Sequence, residues 1–332
     1  MCMDYKTFSS YIEDNIEDYL DRAAVVSIQV LPDIKNNGVV EETLVIRTKD
    51  NPQCPVICLT PYYDAYTKGT DKACILAEIA DDYFKGVYQP YTVPLGHLMD
   101  FEAVREDIFI RAVNYERNKD MLAICPHVRK MDLALTFRVR FYQGSDGLSS
   151  LLVDYRMMGH WDISEEFLYE YAMKNTTAKF PPVIESSEDI YTGLMLDLVA
   201  QQAQKSGHTR EAARILKEDM KKSLRVIDRR SKERPLYVIT NHIHLNGATA
   251  AFYPGVLKSF SESLCRGGMD FYLLPCSIHE MMIVPYESDP QTAEAYKRIV
   301  ASGNQEVVRP EEILSDNVYR YTFKTDEISI SI

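Results

Sequence analysis

The chain has 332 residues, 46% of them hydrophobic and 26% charged, with a formal net charge of -12. That length accommodates one large domain or two ordinary ones around a substantial core. The acidity argues against a general nucleic-acid binder or a protein held on an anionic membrane, because both need surplus Lys and Arg.

Residues 4–22 are predicted to form an amphipathic helix, with Phe8, Tyr11, Ile12, Ile16 and Leu20 at helical spacing. This acidic start lacks the basic and apolar regions of a signal peptide, and no run reaches the about 18 apolar residues of a membrane span. Seven cysteines, odd in number and without a CxxC pair, read as reduced thiols of a cytosolic protein. Next, "AAVVSIQVLP", "ETLVIRTK" and "PVICLTPYY", separated by "KNNGVV" and "DNPQCP", predict a three-stranded antiparallel meander. Helices are expected at about 71–85 and 101–122, the second carrying Val104, Ile108, Val113 and Tyr115. "MDLALTFRVRFY" and "LSSLLVDYRM" then read as a hairpin around "QGSDG".

From Ser164 the pattern is helical, broken at Pro181-Pro182 and resumed from Glu188 to Arg230. Lys205 to Arg234 holds eleven Lys or Arg against five Asp or Glu. It reads as a bridging helix, or as a docking face for an acidic partner. The remainder, "LYVIT", "AFYPGVLKSFSESL", "FYLLP", "MMIVPY", "QTAEAYKRIVAS" and "VYRYTFK", has the order β-α-β-β-α-β of a ferredoxin-like split βαβ. The expected fold class is α+β. An N-terminal lobe over 1–160 holds the meander and helices, a helical bridge covers 161–234, and a βαββαβ-like lobe covers 235–332.

No phosphate loop, nucleophile elbow or HExxH is present. His242 and His244, two apart on a strand, would share a face as in some metal hydrolases, but only His279 follows them. A hydrogen-bonded pair and no metal is the expectation. Cys276 near His279 suggests a thiol nucleophile, against which a buried structural cysteine is preferred. Ser277, His279 and Glu280 are the weak catalytic candidates, a compact hydroxyl, imidazole and carboxylate. Triads draw their members from distant parts of a chain, so a turn capped by Ser277 and fixed by a hydrogen bond of His279 to a carbonyl, to the "PHVR" segment or to Asn241 is favoured. Asn114, Glu116, Asn118, His127 and Arg129 form a short polar window, in which Arg129 could clamp an oxyanion or hold Glu116 or Asp132. The binding candidates are Asn114, Asn118, His127, Arg129, Asn241 and Asn246.

"KNNGV", "PYY", "VNYERNK", "PHVRKMDLA", "YVITN…NGATAAFYPGVL", "DFYLLPCSIHE" and "EEILSDNVY" together resemble, in order and from end to end, an uncharacterised family of bacterial proteins found largely in gut Firmicutes. It is known only as domain of unknown function 5688. The resemblance implies no activity, cofactor or partner. Cys276 stands where the family pattern has serine, which weakens the thiol reading. The expected function is a non-enzymatic cytosolic binding or regulatory protein, such as an accessory of a mobile element, with no cofactor and no membrane or direct nucleic-acid contact. A protein partner would meet the basic stretch Lys205 to Arg234. The alternatives are a cofactor-free hydrolase using His279 with Ser277 or Glu280 in an inter-lobe cleft, and an acidic nucleic-acid mimic.

Overall fold

The computed structural model describes residues 3–20, 24–49, 56–87, 95–144, 147–186 and 236–332. The fold is α+β and divides into two units, Met1–His97 and Leu98–Ile332. In the first unit, Asp4 caps helix α1 (Tyr5–Asn15) by accepting the Thr7 N–H at 2.8 Å. A 3-10 turn, Ile16–Tyr19, continues it. Phe8, Ile12 and Ile16, four residues apart, are fully buried, as a single apolar stripe requires. Strands β1 (Val25–Ile34), β2 (Val40–Thr48) and β3 (Val56–Cys58) form the expected antiparallel meander. Leu44 and Ile46 of β2 meet α1, while α2 (Thr60–Thr67) and α3 (Lys72–Val87) contribute Tyr62, Ile75 and Ile79 to the same core.

The second unit begins at Leu98, well before the lobe boundary expected at 160. The helix expected over 101–122 is a correction. Only Phe101–Val104 and Lys119–Leu122 are α-helical there, and residues Ile108–Asn114 are strand β4. All of "IFIRAVN" but Arg111 is buried, so the segment lacks the alternation of a half-exposed strand and mimics helical spacing. Strands β5 (His127–Lys130) and β7 (Gly147–Leu152) both pair with β6 (Leu133–Gly144), and β4 takes its other edge. Helix α4 (Tyr155–Trp161) precedes α5 (Glu165–Lys179), which Ser164 caps. The outer edge of β4 is closed by side chains. Ile110 N–H donates to Thr176 Oγ1 of α5 at 2.9 Å and Ala112 N–H to Thr249 Oγ1 at 3.0 Å, covering donors an edge strand otherwise leaves open.

The remaining strands are β8 (Pro182–Ser186), β9 (Tyr237–Asn241), β10 (Phe271–Pro275), β11 (Met281–Pro285), β12 (Tyr319–Thr322) and β13 (Glu327–Ile330). Helix α6 (Val256–Leu264) lies between β9 and β10, and α7 (Pro290–Glu306) between β11 and β12. The βαββαβ order is present, but the topology is not ferredoxin-like. The antiparallel order is β13-β12-β10-β11-β9-β8. The fourth strand of the motif, β12, therefore flanks the second, β10, where a ferredoxin-like sheet sets it beside the first. The β10–β11 hairpin occupies the centre, and all five residues of "FYLLP" are buried. The helix expected from Glu188, with the basic stretch Lys205 to Arg234, lies outside the described residues.

Candidate functional site

The corner between β10 and β11 is a five-residue turn in register, Pro275 opposite Met281. The N–H groups of Cys276 and Ser277 donate to the Glu280 carbonyl at 3.2 and 3.3 Å. Ser277 Oγ accepts the His279 N–H at 3.0 Å, a side-chain cap of the kind expected. Neighbours clamp the backbone: Thr240 Oγ1 donates to the His279 carbonyl at 2.8 Å, Ala248 N–H to that of Ile278, and Ile278 N–H to that of Glu312. Sequence reading had His279 donating to a carbonyl, Asn241 or the "PHVR" segment. Instead its Nδ1 accepts the Asn246 N–H at 3.1 Å. The ring proton therefore sits on Nε2, which faces Glu312 Oε1 at 3.5 Å.

"NG" explains why that approach is possible. Asn246 is left-handed, with φ 55°. A Cβ on Gly247 would lie 2.2 Å from Thr240 Oγ1 and 2.6 Å from both Asn241 N and the His279 carbonyl, so only glycine fits. Asn241 builds the loop leading in: its Oδ1 accepts the Ile243 N–H at 3.1 Å and its Nδ2 donates to the Leu245 carbonyl at 2.8 Å. Asn241, Leu245 and Asn246, with Phe109 and Phe180, border a space too narrow for a water molecule.

The expected polar window separates into two groups. Asn114 ends β4, its Oδ1 accepting the Arg117 N–H and its Nδ2 donating to the Leu314 carbonyl at 3.0 Å, while Asn118 Nδ2 donates to the Asn114 carbonyl. His127 and Arg129 turn elsewhere. His127 Nδ1 lies 3.0 Å from the Cys125 carbonyl, and Arg129 stacks 4.1 Å over the Tyr115 ring and donates to the Met131 carbonyl. Glu116 pairs with Lys119, and Arg129 holds neither Glu116 nor Asp132. Asp132, named from sequence only as a possible partner of Arg129, accepts hydrogen bonds from Ser315 Oγ at 2.6 Å, Asn317 Nδ2 at 3.0 Å and Tyr319 OH at 2.9 Å. Asn304 Nδ2 and Arg117 both reach Asp316 at 2.8 Å. Thus "NYERNK", "KMD" and "SDN" meet in one polar node. Asp132 sits in the two-residue β5–β6 turn, where Met131 has φ 58°.

His242 and His244 are not two apart on a strand. β9 stops at Asn241, and His244 has φ 55° in the following turn. Among the described residues no group of three His, Cys, Asp or Glu could hold a metal. Burial, then Glu280, pushes the Cys276 thiol up to about 11, opposite to what a nucleophile needs.

Two charged residues, Arg111 and Arg138, escaped sequence reading. Arg111 on β4 stands opposite Thr136 of β6, which stands opposite His127 of β5, so all three share a sheet face. Arg138, opposite Phe109, is on that face too, diagonal to Arg111 at about 7–8 Å. Arg138 donates from Nε to Ser150 Oγ at 2.8 Å and from Nη2 to the Ser150 carbonyl at 3.0 Å. The Arg111 Nε is sealed from solvent and has no hydrogen-bond partner among the described residues, although the residue as a whole is not fully buried. Burial, then Arg138, lowers Arg111 to about 9, with Glu312 opposing. Burial also lowers Arg138. The available signal was arginine inside apolar runs, "IFIRAVN" and "TFRVRF".

Fold and site define an α+β protein whose second unit joins two antiparallel sheets through a hydrogen-bonded polar junction with a recessed arginine pair beside it. The chain belongs to the family of unknown function DUF5688, whose model matches residues 5–322. No curated protein and no solved structure matches it. Among the described residues no helix is long and apolar enough to cross a membrane.

Proposed function

We propose that this protein acts by binding, as a regulatory protein in the cytoplasm of a gut bacterium of the Firmicutes type, without a cofactor and without chemistry of its own. One observation carries the reading. The Ser277 hydroxyl takes the backbone N–H of His279, and the imidazole Nδ1 takes the backbone N–H of Asn246. A nucleophile and its base must be joined to each other; here each is occupied in holding the corner. The groove lined by Tyr169, Tyr253, Tyr321 and Asp326 includes neither Ser277 nor His279, which also supports binding over hydrolysis at this corner. The partner in this reading is a protein met through the basic stretch Lys205 to Arg234, not a membrane and not nucleic acid.

Affinity purification from the native host with mass spectrometry tests it. The expected result is a stoichiometric protein partner, lost when Lys221, Lys222, Arg229 and Arg230 are reversed in charge. A hydrolytic activity toward a panel of ester, amide and phosphoester substrates, abolished by His279→Gln at unchanged Tm, would overturn it.

A further inference from the structure

Two sealed guanidinium nitrogens lack partners among the described residues, Nε of Arg111 and Nε of Arg320. Arg320 is otherwise satisfied, by Asp270 at 2.6 Å, Tyr286 OH at 3.2 Å and the Tyr286 ring beneath it. Arg111 has no ion pair among the described residues. The charged groups acting on it are Arg138 and Glu312, and Glu312 turns its carboxylate toward His279 Nε2. Two cations thus face one carboxylate, leaving a positive charge unmatched. An arginine so placed is costly unless something pairs with it, and a guanidinium fork fits an oxyanion in two parallel bonds. The partial exposure of Arg111 leaves a way in.

We infer that Arg111, with Arg138 behind it on the same sheet face, holds a small oxyanion, a carboxylate or a phosphate group. The site extends the binding reading above by naming a ligand class, and it can fail while that reading stands. A protein partner captured without any anion effect would sink the site alone.

Thermal shift and isothermal titration with inorganic phosphate and with acetate, against chloride at equal ionic strength, provide the test on the full chain. Saturable stabilisation by either anion is expected, the more effective one telling phosphate from carboxylate. Arg111→Gln should weaken that anion by roughly tenfold or more, as loss of a charged hydrogen bond does. Arg129→Gln, exposed and stacked on Tyr115, should leave it unchanged. Should Arg111→Gln fail to fold, Glu312→Gln keeps the idea open to refutation: it removes a competing negative charge, so the anion should bind more tightly and the anion-induced shift should grow. Stabilisation that never saturates, or that is equal in the wild type, Arg111→Gln and Glu312→Gln, overturns the site.

Discussion

Replacing His279 separates an architectural corner from a catalytic one. Its ring is about a quarter exposed, with a side-chain accessibility of 26%, and its Nδ1 satisfies the Asn246 N–H. His279→Ala strands that donor, which costs about 1–3 kcal/mol when water cannot reach it. Taking about 2 kcal/mol, and about 2–4 °C per kcal/mol for a unit of this size, Tm should fall by about 4–8 °C. His279→Gln restores an acceptor through Oε1 and should lose less than half as much. Differential scanning calorimetry of the two variants reads this directly. Equal and negligible shifts in both would refute the reasoning, since the imidazole would then be holding nothing.

Gly247→Ala should be more damaging, by about 3 kcal/mol or more in denaturant unfolding, because two of the three atoms its Cβ meets are backbone and overpacking is costly when neighbours cannot move. Removing the hydroxyl with Thr240→Ala in the same chain should not rescue it. Asp132→Asn puts an NH2 against donors from Ser315, Asn317 or Tyr319 and should cost about 2 kcal/mol by urea titration; a neutral result would dismiss the polar node as a stabilising element. Asp270 is held below the usual carboxylate range: burial opposes ionisation, but Arg320 and the Phe323 N–H outweigh it. Its folded value being depressed, its contribution is present above the unfolded value of about 3.9 and lost as pH falls through the folded one, so Asp270→Asn should flatten the acid limb of the stability curve. Cys276, pushed up to about 11, should react with a thiol reagent at neutral pH far more slowly than the exposed Cys74 and Cys265; comparable rates followed by peptide mapping would contradict its burial.

Local signals determined a good part of this protein. Apolar spacing marked α1, short strand-forming runs and the turn at Asn37-Gly38 marked the meander, and the helical pattern from Ser164 marked α5. The corner Ser277 to Glu280 was readable as a turn because two apolar runs of equal length flank it. Each of these depends on residues within a few positions of one another. What tertiary structure decided depends on groups far apart. β4 is a strand because sheet and helix bury both its faces, which leaves no period to detect. The placement of β12 beside β10 follows from which strands meet, and the order of elements does not encode that. The corner's ring bonds Asn246, 33 residues away, and Asn114 bonds Leu314, 200 residues away. The unmatched charge at Arg111 exists only once Arg138 and Glu312 are brought beside it. Pairing across such separations is selected by the packing of the whole unit, and a hydrogen-bond donor in a sequence carries no mark of its acceptor.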